Sequence, residues 1–383
     1  MANLLKDAIT LPRNARRPRF VRILHPDYSE AENTLLCLCA LDDDGIDYDT
    51  ALVACGIVTG NTSTGFFGTR EAGAQGFERV TRPGDGILRG SEYFFQLPDD
   101  DARGRPYPVV PRFEDWTFPH DAMPSPWRDV NRQTQEGPSC RITDYMWGVE
   151  RAHVVPHSVR TWWDREELDQ YVATDRFSQN TIDASDNMIP LRSDMHTVFD
   201  DKVFAIVPKR DGRELSLVIH IVNPIRDGYL HQHYHNRKLL PFGCSIECLF
   251  ARFAWTIFSP RVMGHFWDKC NTSRLLLVRD PTTGTSTLES RDREQVNSLL
   301  AASRSRSASP RKRKAPEAAG NDVRLLEYDP LDSGIGDSSQ ADSGSADRSP
   351  SRGRSRKRQR ASDEEGLDRV VQKRGKVELD VKM

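Results

Sequence analysis

The sequence predicts an α+β fold followed by a disordered C-terminal tail. Up to about residue 290, short apolar runs with strand-like or helix-like spacing alternate with turn signals. From Ala301 onward Ser, Arg, Asp, Gly and Pro dominate, and Tyr328 is the one aromatic residue. Such a segment buries too little apolar surface to offset the entropy of ordering, so we expect it to be unfolded.

Five segments are predicted along the chain. Residues 18–110 form a small mixed domain, and residues 111–139 form a connector rich in proline and aromatic side chains. Residues 140–208 contain the polar residues that are most suited to chemistry. Residues 209–290 form a strand-and-helix extension that packs on them, and residues 300–383 form the tail.

The elements follow from the apolar spacing. Residues 33–41 and 50–60 are apolar runs of strand or helix length, separated by the turn sequence DDDGIDYD. Residues 90–97 and 215–222 are typical of strands. Residues 245–258 have the apolar period of a helix.

The composition limits the class of protein. With 54 basic and 56 acidic residues, the total charge neither supports nor excludes a nucleic-acid partner. The sequence lacks a run of 18 apolar residues, so we expect no membrane span. The residues after Leu5 are too polar for a secretory signal. Seven cysteines without a CxxC pair indicate reduced thiols in a cytosolic or nuclear protein. The composition does not determine the oligomeric state.

An ordered set of polar residues lies between residues 140 and 208. His153 lies in an apolar run that is typical of a strand and ends at Pro156. Asn187 precedes a second short apolar stretch, and a helix with His196 and Asp200 follows. Because residues four apart share one face of a helix, this imidazole and carboxylate can converge on one cation. Alone, a histidine in an apolar strand is more often structural.

The order AHVVP, DNMIPL and DMHTVFD resembles the HNH endonuclease superfamily, the ββα-metal nucleases. In detail the segment resembles the variant with AHxxP, N and HxxFD signatures that uncharacterised fungal proteins carry. The resemblance implies a central ββα-metal motif embedded in a mixed α/β globule. It also implies hydrolysis of phosphodiester bonds in nucleic acid, with DNA as the expected substrate. One divalent cation is implied, Mg²⁺ first, with Mn²⁺ or Zn²⁺ as alternatives.

The resemblance also implies a role for each matching residue. The strand histidine is the general base, which here is His153. The central asparagine, Asn187, fixes the loop that orients this histidine. The helix residues His196 and Asp200 hold the metal. These roles suit hydrolysis, which needs a base to take a proton from water and a cation to offset charge on the phosphate. An imidazole titrates near neutral pH and can accept that proton.

One position departs from the family pattern. Many members have an acidic residue or histidine directly before the base as a further metal ligand, and here that residue is Ala152. Glu150 lies two residues earlier and projects from the same strand face, so it is a candidate substitute. His157 is a further candidate for contact with substrate or metal. The alternative is an inactive HNH-fold module that binds DNA or a protein.

Two further clusters are open to a functional and a structural interpretation. The alternating histidines of HQHYH, residues 231–235, would share one face if the segment were a strand, but a zinc site needs further ligands. Trp162 and Trp163 have the rings to stack on a base, although anchoring a loop in the core is the commoner role.

The tail contains two basic runs, Arg311–Lys314 and Arg354–Arg360. Such runs predict nuclear import through the import machinery, or a salt-dependent tether to nucleic acid. The candidate residues for this role are Arg311, Lys312, Arg313, Lys314, Arg356, Lys357 and Arg358. The predicted location is therefore the nucleus, and otherwise the cytoplasm. Ser-Arg dipeptides in the tail leave an RNA-linked role as a third possibility.

Overall fold

A computed structural model describes most of the chain up to residue 306. The described residues are 18–71, 76–98, 106–130, 137–173, 180–225, 228–268, 271–280 and 283–306. They contain helices and several small sheets, which confirms the predicted mixed α+β class. Both basic runs of the predicted tail lie outside these residues. No helix in the described part is long and apolar enough to cross a membrane.

The helices and strands are numbered here in chain order. The strands are β1 Arg19–Leu24, β2 Thr34–Ala40, β3 Ile46–Asp47, β4 Phe66–Thr69, β5 Glu78–Arg79, β6 Ile87–Leu88, β7 Glu92–Gln96, β8 Val149–His153, β9 Met188–Arg192, β10 Phe204–Asp211, β11 Glu214–Ile221, β12 Arg274–Arg279 and β13 Ser286–Arg291. The α-helices are α1 Tyr48–Val58, α2 Ser125–Asp129, α3 Arg160–Arg165, α4 Ser193–Asp200, α5 Tyr229–Tyr234, α6 Ile246–Ile257, α7 Pro260–Asp268 and α8 Arg293–Arg306.

The N-terminal part forms a five-stranded sheet in the order β2-β1-β7-β4-β5. Strand β1 pairs in parallel with β7, and the other neighbours are antiparallel. Strand β2 is apolar along nearly its whole length, TLLCLCA, rather than alternating. Helix α7 packs on β2, and nearly all side chains of β2 are buried. A strand that is covered on both faces needs apolar side chains on both.

The apolar run at residues 50–60, which the sequence left open between strand and helix, is helix α1. The side chain of Asp47 caps it, because Oδ1 accepts a hydrogen bond of 2.8 Å from the backbone N–H of Thr50. Such a cap satisfies one of the four N–H groups that a helix start leaves unpaired. Nearly every residue of α1 is buried, which explains why its sequence lacks a polar face.

The proline-rich connector is an anchored part of the core. Trp116 and Trp127 are fully buried, and the short helix α2 lies within this segment. The ring of Trp116 stacks on that of Trp162, with centroids 5.6 Å apart and planes at 8°. The indole N–H of Trp162 donates to the carbonyl of Trp116 at 2.8 Å. Because Trp162 and Trp163 are both buried, the interpretation of this pair as a loop anchor is supported.

Two structural features lie at and beyond the end of the polar segment of residues 140–208. Strands β10 and β11 form a hairpin, and Gly212 in its turn has the positive φ of 63° that a tight hairpin turn requires. Helix α6 then packs against β10. The hydroxyl of Ser245 caps α6 by accepting from the backbone N–H groups of Glu247 and Cys248.

A buried ion pair ties the turn after β2 to the β10–β11 hairpin. Asp42 Oδ1 accepts from Lys209 Nζ at 2.6 Å, from His235 Nε2 at 2.9 Å and from Asn236 Nδ2 at 2.7 Å. Burial acts to raise the pKa of Asp42, but the Lys209 ammonium and His235 outweigh it and hold that pKa far below its usual range. The network joins residues that are more than 160 positions apart in the sequence.

Candidate functional site

The polar segment folds as a ββα unit with a long insertion between its strands. Strand β8 pairs antiparallel with β9 in a register that sets Ala152 against Ile189 and His153 against Met188. Helix α4 follows β9 directly. Because side chains alternate along a strand, Ala152 lies on the buried inner face of this hairpin and His153 on its outer face.

Asn187 holds the loop after β8 in place. Its Oδ1 accepts from the backbone N–H of Val155 at 2.8 Å. Its Nδ2 donates to the carbonyls of Val155 at 3.0 Å and Ile182 at 2.8 Å. The side chain is fully buried, so it is the partner of three backbone groups that water cannot reach. The amide thereby fixes the chain that leaves His153, without touching the imidazole itself.

We expect Asn187→Ala to lower the free energy of unfolding by about 3 kcal/mol or more, because three buried backbone groups lose their partner. Urea denaturation of the purified protein measures this. Asn187→Asp is the matched control. It keeps an acceptor for the N–H of Val155 but sets a carboxylate against two carbonyls, so it should rescue little. A loss below about 0.5 kcal/mol for Asn187→Ala would contradict the assigned contacts.

Asp183 joins His153 and His157, and no motif or periodic pattern in the sequence pointed to it. Its Oδ1 lies 2.8 Å from Nε2 of His153 and 2.6 Å from Nε2 of His157. Burial acts to raise the pKa of Asp183, but the hydrogen bonds from both histidines outweigh it and leave that pKa below its usual value. A carboxylate accepts only, so Nε2 of each neutral imidazole donates, and Nδ1 of His153 keeps the lone pair.

A second group lies where β8 faces helix α4. His196 Nδ1 is 2.7 Å from Oε2 of Glu150, and its Nε2 is 3.4 Å from Oδ2 of Asp200. His196 is three-quarters buried, whereas both carboxylates are more than half exposed. Glu150 therefore reaches the helix from the strand face that Ala152 shares, as the alternation of side chains predicted.

Two clusters of side chains offer ligand atoms to a divalent cation. Glu150, His196 and Asp200 supply two carboxylates and one imidazole, a set that suits Mg²⁺ through oxygen and Mn²⁺ or Zn²⁺ through nitrogen and oxygen. The carboxylates contact opposite nitrogens of the ring, so a shared ion requires one of them to turn. The donor atoms of His153, His157 and Asp183 already lie within 4.8 Å of one another.

Arg252 of helix α6 connects the strand and helix of the unit. Its guanidinium donates to the carbonyl of Val154, just after β8, and to the carbonyl of Phe199, near the end of α4. It also lies 3.7 Å from the ring centroid of Phe199. Burial lowers the pKa of Arg252 to about 9. The Arg252 side chain thus holds strand β8 and helix α4 together. The carbonyls at the C-terminal end of a helix favour a nearby cation, and Arg252 supplies one at the end of α4.

The HQHYH segment does not form the strand that would have aligned its three histidines. Residues 229–234 are helix α5, and His235 lies beyond its end. His235 instead joins Asp42 and His220 in a buried group whose donor atoms lie within 4.8 Å of one another. The Lys209 ammonium already neutralises this carboxylate, which disfavours a metal ion there.

Comparison with known proteins agrees with this geometry. Residues 140–207 match the family model HNH_2, described as HNH endonuclease. The match covers less than half of the chain. It confirms the resemblance of residues 140–207 to HNH endonucleases. Such a domain indicates nuclease-type activity, nucleic-acid binding and use of a divalent metal in general terms. No curated protein and no solved structure matches the chain.

Proposed function

We propose that this protein is a metal-dependent endonuclease that hydrolyses phosphodiester bonds in DNA, with His153 as its general base. The observation that carries the proposal is that one ββα unit pairs His153 with Asp183 and also groups His196 with the carboxylates of Glu150 and Asp200. A base and a set of metal ligands are the two parts that this hydrolysis needs.

His153 has the surroundings of a base. Its side chain is 27% exposed, so water and a phosphate can reach it. The hydrogen bond from Nε2 to Asp183 orients the ring and stabilises the imidazolium that forms when Nδ1 takes a proton. Asn187 keeps the adjoining backbone in place and acts as a positioning residue.

His196 and Asp200 are the proposed metal ligands, and Glu150 is the third. A divalent ion held there would offset the negative charge that develops on the phosphate and the leaving oxygen. Glu150 compensates for Ala152, which has no donor atom and is fully buried. Its position two residues earlier on the same strand face brings a carboxylate to His196. Mg²⁺ is the first candidate, with Mn²⁺ or Zn²⁺ as alternatives.

A plasmid-nicking assay tests the proposal through its metal dependence. We expect supercoiled DNA to be nicked with Mg²⁺, Mn²⁺ or Zn²⁺ and to stay intact in EDTA. His196→Ala, purified in parallel, should nick at least about 10-fold more slowly, because ligand loss weakens metal binding. Equal nicking by His196→Ala would point to a contaminating nuclease and contradict the proposal.

The second candidate function is an inactive module that keeps the fold to bind DNA or a protein. Ala152 at the usual ligand position favours it. Calorimetric titration with the three ions separates the candidates, since an absence of metal binding supports the inactive module. Nuclear localisation through the import machinery remains a separate proposal, which rests on the basic runs at residues 311–314 and 354–360.

A further inference from the structure

The loop before β8 exposes three large apolar side chains in a row. Tyr145 is 51% exposed, Met146 65% and Trp147 78%. Among the described residues, Leu288 on β13 is the one other large hydrophobic side chain with this exposure. Isolated exposed hydrophobics are ordinary on a protein surface, but a contiguous set marks a binding surface.

The backbone of this loop is held firmly although its side chains face solvent. The N–H of Cys140 donates to the carbonyl of Tyr145 at 2.9 Å, and the N–H of Asp144 donates to the carbonyl of Cys140 at 2.9 Å. At the other end the carbonyl of Gly148 accepts from Ser193, the first residue of α4, at 2.9 Å. The exposed rings therefore start from a pre-ordered position, which lowers the entropy cost of binding.

The loop continues directly into strand β8, whose outer face carries His153. Arg151 projects from this same face, because it is two residues from His153. It is exposed, and its guanidinium has no ion pair or hydrogen bond within the part of the chain described. At about 3.3 Å per residue, Arg151 is about 7 Å along the strand from His153. An unpaired cation so close to the proposed base suits a backbone phosphate.

We propose that Trp147 and Arg151 form a binding track for a single strand of nucleic acid that leads to His153. Arg151 binds a phosphate, and the indole of Trp147 stacks on an unpaired base. The strand β8 is about 13 Å long from Val149 to His153, which corresponds to about four stacked nucleotides. A single strand is favoured over a duplex because the faces of paired bases are hidden in the stack, whereas unpaired bases offer them to an aromatic ring.

This inference rests on the proposed function and names the substrate form of the same site. The experiment is fluorescence anisotropy of the full chain with a labelled single-stranded oligonucleotide and with its blunt duplex, in EDTA so that neither is cut. We expect tighter binding of the single strand. Trp147→Ala should weaken it by about 5- to 150-fold, the range of base–aromatic stacking, and Trp147→Phe should restore most of the loss.

Arg151→Gln gives an independent readout. It should reduce the slope of log K against log salt by about 0.7, the value for one phosphate contact to a single strand, whereas Trp147→Ala should leave the slope unchanged. Leu288→Ala is the matched control for Trp147, as an exposed apolar residue on another sheet. Arg213→Gln in the β10–β11 turn is the control for Arg151, because Arg213 is also exposed.

The outcomes separate the two proposals. If wild type binds the single strand and Trp147→Ala binds it equally well, the binding track is wrong while the nuclease proposal stands. If wild type prefers the blunt duplex, or Trp147→Ala weakens both forms equally, the single-strand assignment is overturned. If wild type binds neither oligonucleotide, the binding track is wrong, and plasmid nicking with divalent metal decides the proposed function separately.

Discussion

Replacing His153 with alanine will slow phosphodiester cleavage by about 10²- to 10⁴-fold, the usual contribution of a general base. Without the imidazole, the attacking water loses the base that the proposed mechanism assigns to it. Folding should be nearly unaffected, because His153 is partly exposed and Asp183 keeps its contact with His157. Initial rates of plasmid nicking at saturating metal, with urea denaturation alongside, measure both effects.

His157→Ala is the matched control for His153. It removes the other histidine bound to Asp183, yet it lies beyond the strand and should slow cleavage far less. Calorimetry adds a second check, since His153→Ala should bind the divalent ion as wild type does. If it instead loses the ion, then His153, His157 and Asp183 form the metal site. If His153→Ala cuts at the wild-type rate, the proposed mechanism is wrong.

Asp42→Ala will lower the free energy of unfolding by about 3–5 kcal/mol, the cost of leaving a buried charge unpaired. Lys209 is the charge in question, because its side chain is 9% exposed and its ammonium lies 2.6 Å from Asp42 Oδ1. His235 and Asn236 lose an acceptor in the same change. Urea denaturation near neutral pH, where Asp42 is ionised, measures the loss.

The double variant Asp42→Ala with Lys209→Met is the control for this ion pair. Removing both charges leaves nothing unpaired, so the double variant should be more stable than Asp42→Ala alone. Such a result identifies the unpaired ammonium as the cause of the loss. A single variant that loses less than about 1 kcal/mol would show that water reaches Lys209 and that the pair is not buried in solution.

Local patterns in the sequence were enough to predict the site's framework. The strand with His153, the second strand after Asn187 and the helix with His196 and Asp200 all occur in the predicted order. This follows from short-range geometry, since the period of two in strands and of 3.6 in helices fixes which neighbours share a face. Glu150 was predictable for the same reason, because it shares a strand face with Ala152.

Other contacts depend on groups that are distant in the sequence. Asp183 lies 30 residues after His153, in an insertion with no regular period, and only the folded loop brings the two together. The HQHYH histidines show the same limit. Their alternation would have placed them on one face of a strand, but the segment is a short helix. His235 lies beyond its end and contacts Asp42, which is 193 positions away.

The sequence by itself determined the strand–strand–helix order, the faces of the named residues and the family of residues 140–207. These depend on the spacing of neighbouring residues and on motif letters. Only the tertiary structure decided that Asp183 pairs with His153, that Arg252 joins strand β8 to helix α4 and that Trp147 is exposed to solvent. The physical reason is that such contacts arise when distant segments pack, and packing depends on the whole core rather than on any local period.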